Sequence, residues 1–265
     1  MPRPCGREPS RPRGPGRGTA RDDRRVTTYR LPMRWADIDQ LNHVNNIVYL
    51  AYAEEARAAL VDDGVIDGGL RPTRIAVDFA LPMQLSKRPV LVGQEVDGSL
   101  LRQEIAQEVD GSRVVFARVE TELGVPGRLG DPQLDGVAVP FRGRRGDLGP
   151  SGRVEAAQVF EYFQEARIIA MSQGWTDGRL GQLVLARLEV VFGEPVCWRP
   201  EPWQFVMGVE RVGTKSFTLA AEWRDGDRVL ARSRAVLVGF DVATQSGRAL
   251  SESERAYVAE WGKDG

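Results

Sequence analysis

The chain repeats itself. Tyr52-Ala53-Glu54-Glu55-Ala56-Arg57 returns as Tyr162-Phe163-Gln164-Glu165-Ala166-Arg167, 110 residues on. Val77-Asp78-Phe79-Ala80-Leu81-Pro82 returns as Val190-Val191-Phe192-Gly193-Glu194-Pro195 at an offset of 113, and Pro89 as Pro202 at the same offset. Arg113-Val114-Val115-Phe116-Ala117-Arg118 then meets Arg228-Val229-Leu230-Ala231-Arg232 at an offset near 114 or 115. Four blocks keep their order, and the offset drifts only where loops can absorb a residue or two. Such a pattern marks a duplicated unit, so the fold must be one that two copies of a single plan can build.

Each half has the same grammar. A short strand (Thr27–Trp35; Val137–Phe141) leads through a loop into a helix (Asn45–Asp62; Glu155–Ser172) that is apolar around most of its circumference, as a buried helix is. Four β-rich runs follow: Arg74–Phe79, Val90–Val96, Leu100–Val109 and Val114–Leu123, then Leu183–Phe192, Trp203–Val209, Ser216–Arg224 and Val229–Phe240. Short gaps between strands, with Asp225-Gly226 as a hairpin turn, predict antiparallel pairing rather than helical crossovers. The expected class is α+β. Its expected domains are 26–123 and 137–265, joined by a Gly, Pro and Asp-rich linker over 124–136 and closed by a helix over Ser251–Trp261. Residues 1–25 hold eight Arg, five Pro and four Gly at a local charge of +5, and are expected to stay outside the core as a disordered tail.

Composition narrows the function. With 36 basic and 37 acidic side chains the net charge is −1, so no global field recruits nucleic acid or an anionic membrane. No apolar run is long enough for a membrane span. The two cysteines, Cys5 and Cys197, form neither a disulfide framework nor a metal-ligand spacing, which fits a reducing, cytoplasmic setting. His43 is the single histidine, so no multi-histidine metal site can form.

Chemistry gathers at the first strand-to-helix junction, Arg34-Trp35-Ala36-Asp37-Ile38-Asp39-Gln40-Leu41-Asn42-His43-Val44-Asn45-Asn46. Two carboxylates, a histidine and three asparagines stand just ahead of a buried helix. Spare backbone N–H groups and the positive dipole end suit a developing oxyanion, and a carboxylate there can serve as base or nucleophile. Duller readings stay open at this point: Asp37 as a loop cap or partner of Arg34, Asp39 as a turn residue, Asn45 or Asn46 as an N-cap, Glu54 or Glu55 as partners of Arg57, and Tyr49 as core filling.

The strings Trp35-Ala36-Asp37-Ile38-Asp39, His43-Val44-Asn45-Asn46, Tyr49 and Glu55-Ala56-Arg57 resemble the hot-dog-fold thioesterases, in particular the 4-hydroxybenzoyl-CoA and acyl-ACP thioesterase branches. The duplication is similar to that of double hot-dog members. The resemblance implies two hot-dog domains in one chain, each an antiparallel sheet wrapped around a long central helix, paired edge to edge as a pseudo-dimer. It also implies hydrolysis of an acyl thioester, most simply an acyl-CoA, without metal or organic cofactor. Acyl-ACP is the alternative substrate, and a non-catalytic acyl-thioester-binding protein the alternative function. By the same resemblance Asp39 is the catalytic carboxylate, and the backbone N–H of Asn46 polarises the carbonyl. His43 and Asn45 then belong to the shared loop. Leu41 departs from the acyl-ACP branch, which has Asn two residues after its Asp.

The repeat supplies an internal control. Asp39 corresponds to Gly149, His43 to Arg153, Asn45 to Glu155 and Asn46 to Ala156, while Asp37 keeps its type as Asp147. The second loop is therefore expected to have lost the chemical set. Arg153, beside Arg142, Arg144 and Arg145, is a candidate for substrate phosphates, or simply part of a solvated basic stretch. Glu155 is expected to stand too far along the helix to replace Asp39, though within reach of substrate. Paired sheets also make a homo-oligomer an expected assembly.

Overall fold

The computed structural model describes residues 25–39, 42–174, 183–241, 243–244 and 246–261. The Arg, Pro and Gly-rich tail thus lies outside the described residues apart from Arg25. Strands β1 (Arg25–Leu31), β2 (Arg71–Phe79), β3 (Val90–Asp97), β4 (Leu100–Val109) and β5 (Ser112–Gly124) come from the first repeat, with helix α1 (Asn46–Asp62). Strands β6 (Val137–Phe141), β7 (Leu183–Phe192), β8 (Trp203–Val212), β9 (Ser216–Asp225) and β10 (Arg228–Asp241), with helix α2 (Ala156–Gly174), come from the second. A two-residue strand β11 (Ser246–Gly247) and helix α3 (Glu252–Glu260) close the chain.

All strands join one open antiparallel sheet in the order β1-β3-β4-β5-β2-β7-β10-β9-β8-β6, with β11 on β10. Read from the middle outward, the two halves have the same order. The join is β2 against β7, with Arg74 opposite Val191 and Asp78 opposite Arg187. Charged side chains lace it on the solvent face: Arg74 donates to Glu189 at 2.8 and 2.9 Å and to Glu122 at 3.1 Å, and Arg187 pairs with Asp78. The result is the α+β, hot-dog-like arrangement anticipated from the sequence, a large sheet with long helices packed on it.

Both helices contribute to one continuous apolar cluster with the sheet, including Leu50, Ala53 and Ala56 from α1 and Phe160, Phe163 and Ala166 from α2. Neither is buried all round, as the apolar pattern had suggested. Ala51, Glu55 and Ala58 form an exposed stripe on α1, and Glu161, Glu165 and Ile168 form the same stripe on α2. On α1 alanine explains the discrepancy, since it raises apolar content while losing little by facing water, whereas the α2 stripe is two glutamates and the half-exposed Ile168.

Two further expectations need correction. The first strand stops at Leu31 rather than running to Trp35. Pro32 has no N–H to give to the ladder, and Trp35–Asp37 instead forms a 3-10 turn. Cys197 is disulfide-bonded, against the expectation of no disulfide, so cysteine usage gives no argument for a reducing setting. Among the described residues no helix is long and apolar enough to cross a membrane. The 125–136 stretch has no regular structure, yet it is pinned. The Gln133 N–H donates to the Glu222 carboxylate at 3.2 Å, and Arg232 donates to the carbonyls of Leu129 and Asp131 at 2.6 and 2.8 Å.

Candidate active site

The loop between β1 and α1 is held by its own backbone. The Asp39 N–H donates to the His43 carbonyl at 2.8 Å and the Asn42 N–H to the Asp39 carbonyl at 3.0 Å, closing a tight turn in which Asn42 takes φ 60°. Asparagine tolerates that left-handed conformation better than most side chains. The next residues bind outward, with the Val44 N–H on the Met83 carbonyl at 2.8 Å and the Asn45 N–H on the Asp37 carbonyl at 2.9 Å. Asp37 is part of this frame. It is buried, and its carboxylate accepts from the Arg34 N–H at 2.7 Å and the Tyr52 hydroxyl at 2.5 Å. It meets Arg34 through the backbone, and Arg57 pairs with Glu54 rather than Glu55.

Asn45 is the N-cap of α1, its Oδ1 accepting from the Ile47 N–H at 3.0 Å. That choice has a consequence one residue earlier. Asn46 is the first residue of the helix, and among the described residues its N–H has no hydrogen-bond partner. A helix start leaves such donors spare unless a cap takes them, and here the cap serves Ile47.

Asp39, His43 and Asn46 line one cavity of about 530 Å³. Its volume is that of a small-ligand site. Tyr49, Leu81, Pro82 and Gln84 complete the near wall, and Leu183–Ala186, Val238 and Phe240 form the far one. The far wall belongs to β7 and β10, so the cavity opens between the two repeats. Asp39 Oδ1 accepts from the His43 N–H at 3.3 Å. The Tyr49 hydroxyl accepts from the Met83 N–H at 2.9 Å, and burial pushes its pKa up to about 12 although that N–H works the other way. Tyr49 therefore fills core, as the sequence suggested, and also faces the cavity. The β7 and β10 residues carry no local motif. Only the long-range pairing of β2 with β7 brings them here.

The second loop repeats most of the frame's bonds, without a counterpart, among the described residues, of the Asn45 N–H to Asp37 carbonyl bond. Asp147 accepts from the Arg144 N–H at 2.6 Å and the Tyr162 hydroxyl at 2.9 Å. Gly149 N–H meets the Arg153 carbonyl and Gly152 N–H the Gly149 carbonyl, both at 2.9 Å, while Val154 N–H meets the Val196 carbonyl at 2.9 Å. Asp37 and Asp147 are thus retained for the frame. The chemistry is not copied. Arg153 and Glu155 line a separate cavity of about 70 Å³, so the structure does not bring them to Asp39. Glu155 also lies differently from the expectation that it stands too high on the helix. A Cβ built on Gly149 would be 2.6 Å from the Glu155 Oε1, so this carboxylate folds back over the glycine and fills the place of a side chain there. Ser151 Oγ donates to the same Oε1 at 2.7 Å. Among the described residues no cluster of three or more His, Cys, Asp or Glu could hold a metal ion.

Comparisons with known proteins agree with this architecture. A family model for the acyl-ACP thioesterase C-terminal domain matches residues 20–88, the stretch that contains the first loop and α1. The fold is one that thioesterases use. A structure described as an oleoyl thioesterase from Lactobacillus plantarum superposes with a TM-score of 0.64 at 11% identity, covering 83% of this chain and 98% of its own. The 12:0-ACP thioesterase from Umbellularia californica gives 0.59 at 11% identity, covering 81% and 94%. An acyl-ACP thioesterase from Bacteroides thetaiotaomicron gives 0.54 at 12% identity, covering 80% and 97%. No curated protein matches the chain by sequence.

Proposed function

We propose that the chain is a tandem hot-dog thioesterase, with residues 26–123 and 137–265 as its two units, that hydrolyses an acyl thioester at the Asp39 loop. The observation that carries this reading is the spare N–H of Asn46 beside Asp39 in a cavity of ligand size. The thioester carbonyl oxygen is received by the Asn46 N–H, and its growing negative charge is favoured by the dipole of α1. Asp39 acts on the carbonyl carbon, either drawing a proton from the attacking water or attacking directly and being released by water. In both routes a C–O bond forms, the C–S bond breaks, and the thiol leaves with a proton. His43 and Asn45 shape the loop that holds these groups. Because β7 supplies the far wall from the same chain, a homo-oligomer is not needed to complete this site.

The acyl group is carried by CoA in this reading. The names of the structures of like fold favour a second carrier, ACP. Thiol release from matched acyl-CoA and acyl-ACP panels, with wild type beside Asp39→Ala, tests both. Hydrolysis by wild type and none by the variant is expected. Tight binding of acyl thioesters without turnover would make the chain a binding protein instead.

A further inference from the structure

Two arginines occupy equivalent places in the long helices, Arg57 in α1 and Arg167 in α2, but their electrical surroundings differ. Arg57 donates to both oxygens of Glu54, at 3.0 and 2.8 Å. Burial works against its charge, yet Glu54 and, from the facing helix, Glu155 more than offset that. The repeat carries Glu54 to Gln164 and Glu155 to Asn45. Both carboxylates that balance Arg57 are amides around Arg167. The amides are also in contact across the helices, Gln164 Nε2 reaching Asn45 Oδ1 at 3.5 Å.

That contact locates Arg167. It lies three residues beyond Gln164, on the same face of α2, and Asn45 caps the start of α1. What Arg57 is to Glu155, Arg167 is to Asn45. Arg167 is only 7% exposed, and among the described residues it has no hydrogen-bond or ion-pair partner. Burial lowers its pKa to about 10, which still leaves it protonated near neutrality. A buried charge without a partner is costly to a fold, and one glutamate at position 164 would relieve it, as Glu54 does for Arg57. The unbalanced charge stands on the side of the molecule that has Asp39, and the balanced one on the side that has Gly149.

We propose that Arg167 is a positioning residue for the Asp39 loop. Its uncompensated guanidinium, at the N-terminal end of α1, adds to the helix dipole at Asn46 and favours the negative charge that develops on the thioester oxygen. This rests on the hydrolytic reading of that loop. Arg167 acts through the helix end and does not touch substrate. Two charges on the order of 10 Å apart at an effective dielectric of about 20 interact strongly enough to change a rate by roughly tenfold.

Gln164→Glu installs the counterion found on the other side. It should raise the melting temperature, lower kcat by on the order of tenfold, and leave KM nearly unchanged. Arg167→Met should lower kcat similarly, and Arg167→Lys should keep most of it. Glu54→Gln, which unbalances Arg57 instead, should leave kcat as in wild type. If Arg167→Met fails to fold, Gln164→Glu still decides the matter. A more stable Gln164→Glu with wild-type kcat would overturn the role of Arg167 while leaving the thioesterase reading standing. A wild type that releases no thiol from any thioester overturns both.

Discussion

The two strand-to-helix loops share a backbone and differ in what they hold. Both are braced by an aspartate that takes an N–H three residues earlier and a tyrosine hydroxyl from the helix: Asp37 with Tyr52, Asp147 with Tyr162. Above that frame one loop presents Asp39, His43 and Asn46 to a cavity of about 530 Å³, and the other has Glu155 folded over Gly149 beside about 70 Å³. The frame and the chemistry are separable. Both halves keep the frame, while Asp39, His43 and Asn46 have residues of other kinds at the equivalent places, Gly149, Arg153 and Ala156. The second half is instead rich in packed rings, with Trp223 in contact with Trp203, Phe205 and Tyr162, and Tyr162 also against Trp203.

The largest effect should come from asking whether one loop does all the work. Asp39→Ala is expected to remove essentially all thiol release, and Glu155→Ala to leave a substantial fraction. Half activity in each variant, with two equivalents of a non-hydrolysable acyl-CoA bound per chain by calorimetry, would break the asymmetry. Next comes Asn46. Ala keeps the spare N–H and Pro removes it, while Pro is sterically at home in a first helical turn. Loss of one oxyanion donor typically costs about 100- to 1000-fold in turnover. Asn46→Pro should lose turnover in that range, and Asn46→Ala should lose far less. Equal kcat in two folded variants would take Asn46 out of the site.

The contrast between the loops can also be sharpened through stability. Gly149→Asp puts a Cβ into the Glu155 side chain, and forced overpacking of this kind costs about 1–3 kcal/mol. Adding Glu155→Asn, the residue of the first loop, should recover most of the loss in a urea melt. If Gly149→Asp is as stable as wild type, Glu155 does not occupy that space in solution.

These differences were unequally legible in the sequence. Asn45-Asn46 at a helix entry, Asp37 conserved in kind as Asp147, and the repeat itself are local signals, and each has a direct structural counterpart. The end of β1 is also written there, in Pro32, which has no N–H to give to the ladder. The far wall of the cavity was not legible. Leu183–Ala186 read as an ordinary strand, and only the β2–β7 register places them opposite Leu81. The fold-back of Glu155 was equally hidden, because it needs the void above Gly149 and the Ser151 hydroxyl together. Equal spacing predicted equal backbone and said nothing of where a long side chain would turn.

The smallest expected effect separates the halves by acid. Burial alone would raise the Glu222 carboxyl, but hydrogen bonds from Arg232, Arg224 and the Gln133 N–H hold it below its ordinary value of 4.5. Arg248 chiefly, with the Ser251 N–H, holds Glu254 below that value as well, at the start of α3. A carboxylate with a depressed folded-state pKa takes up protons less readily folded than unfolded, so its contribution is complete above 4.5 and is lost as the pH falls below that value. Both groups lie in the second half, and Glu222 also pins the 125–136 stretch. Tryptophan emission reads chiefly that half, since five of the six tryptophans lie in it and the one in the first half, Trp35, is exposed. The melting temperature by fluorescence should therefore fall from pH 6 toward pH 3. In Glu222→Gln the fall should be shallower, while the value at pH 6 starts lower. An acid slope identical to that of wild type would mean that Glu222 keeps its proton balance on unfolding, and that the linker is held by the arginine–carbonyl bonds alone.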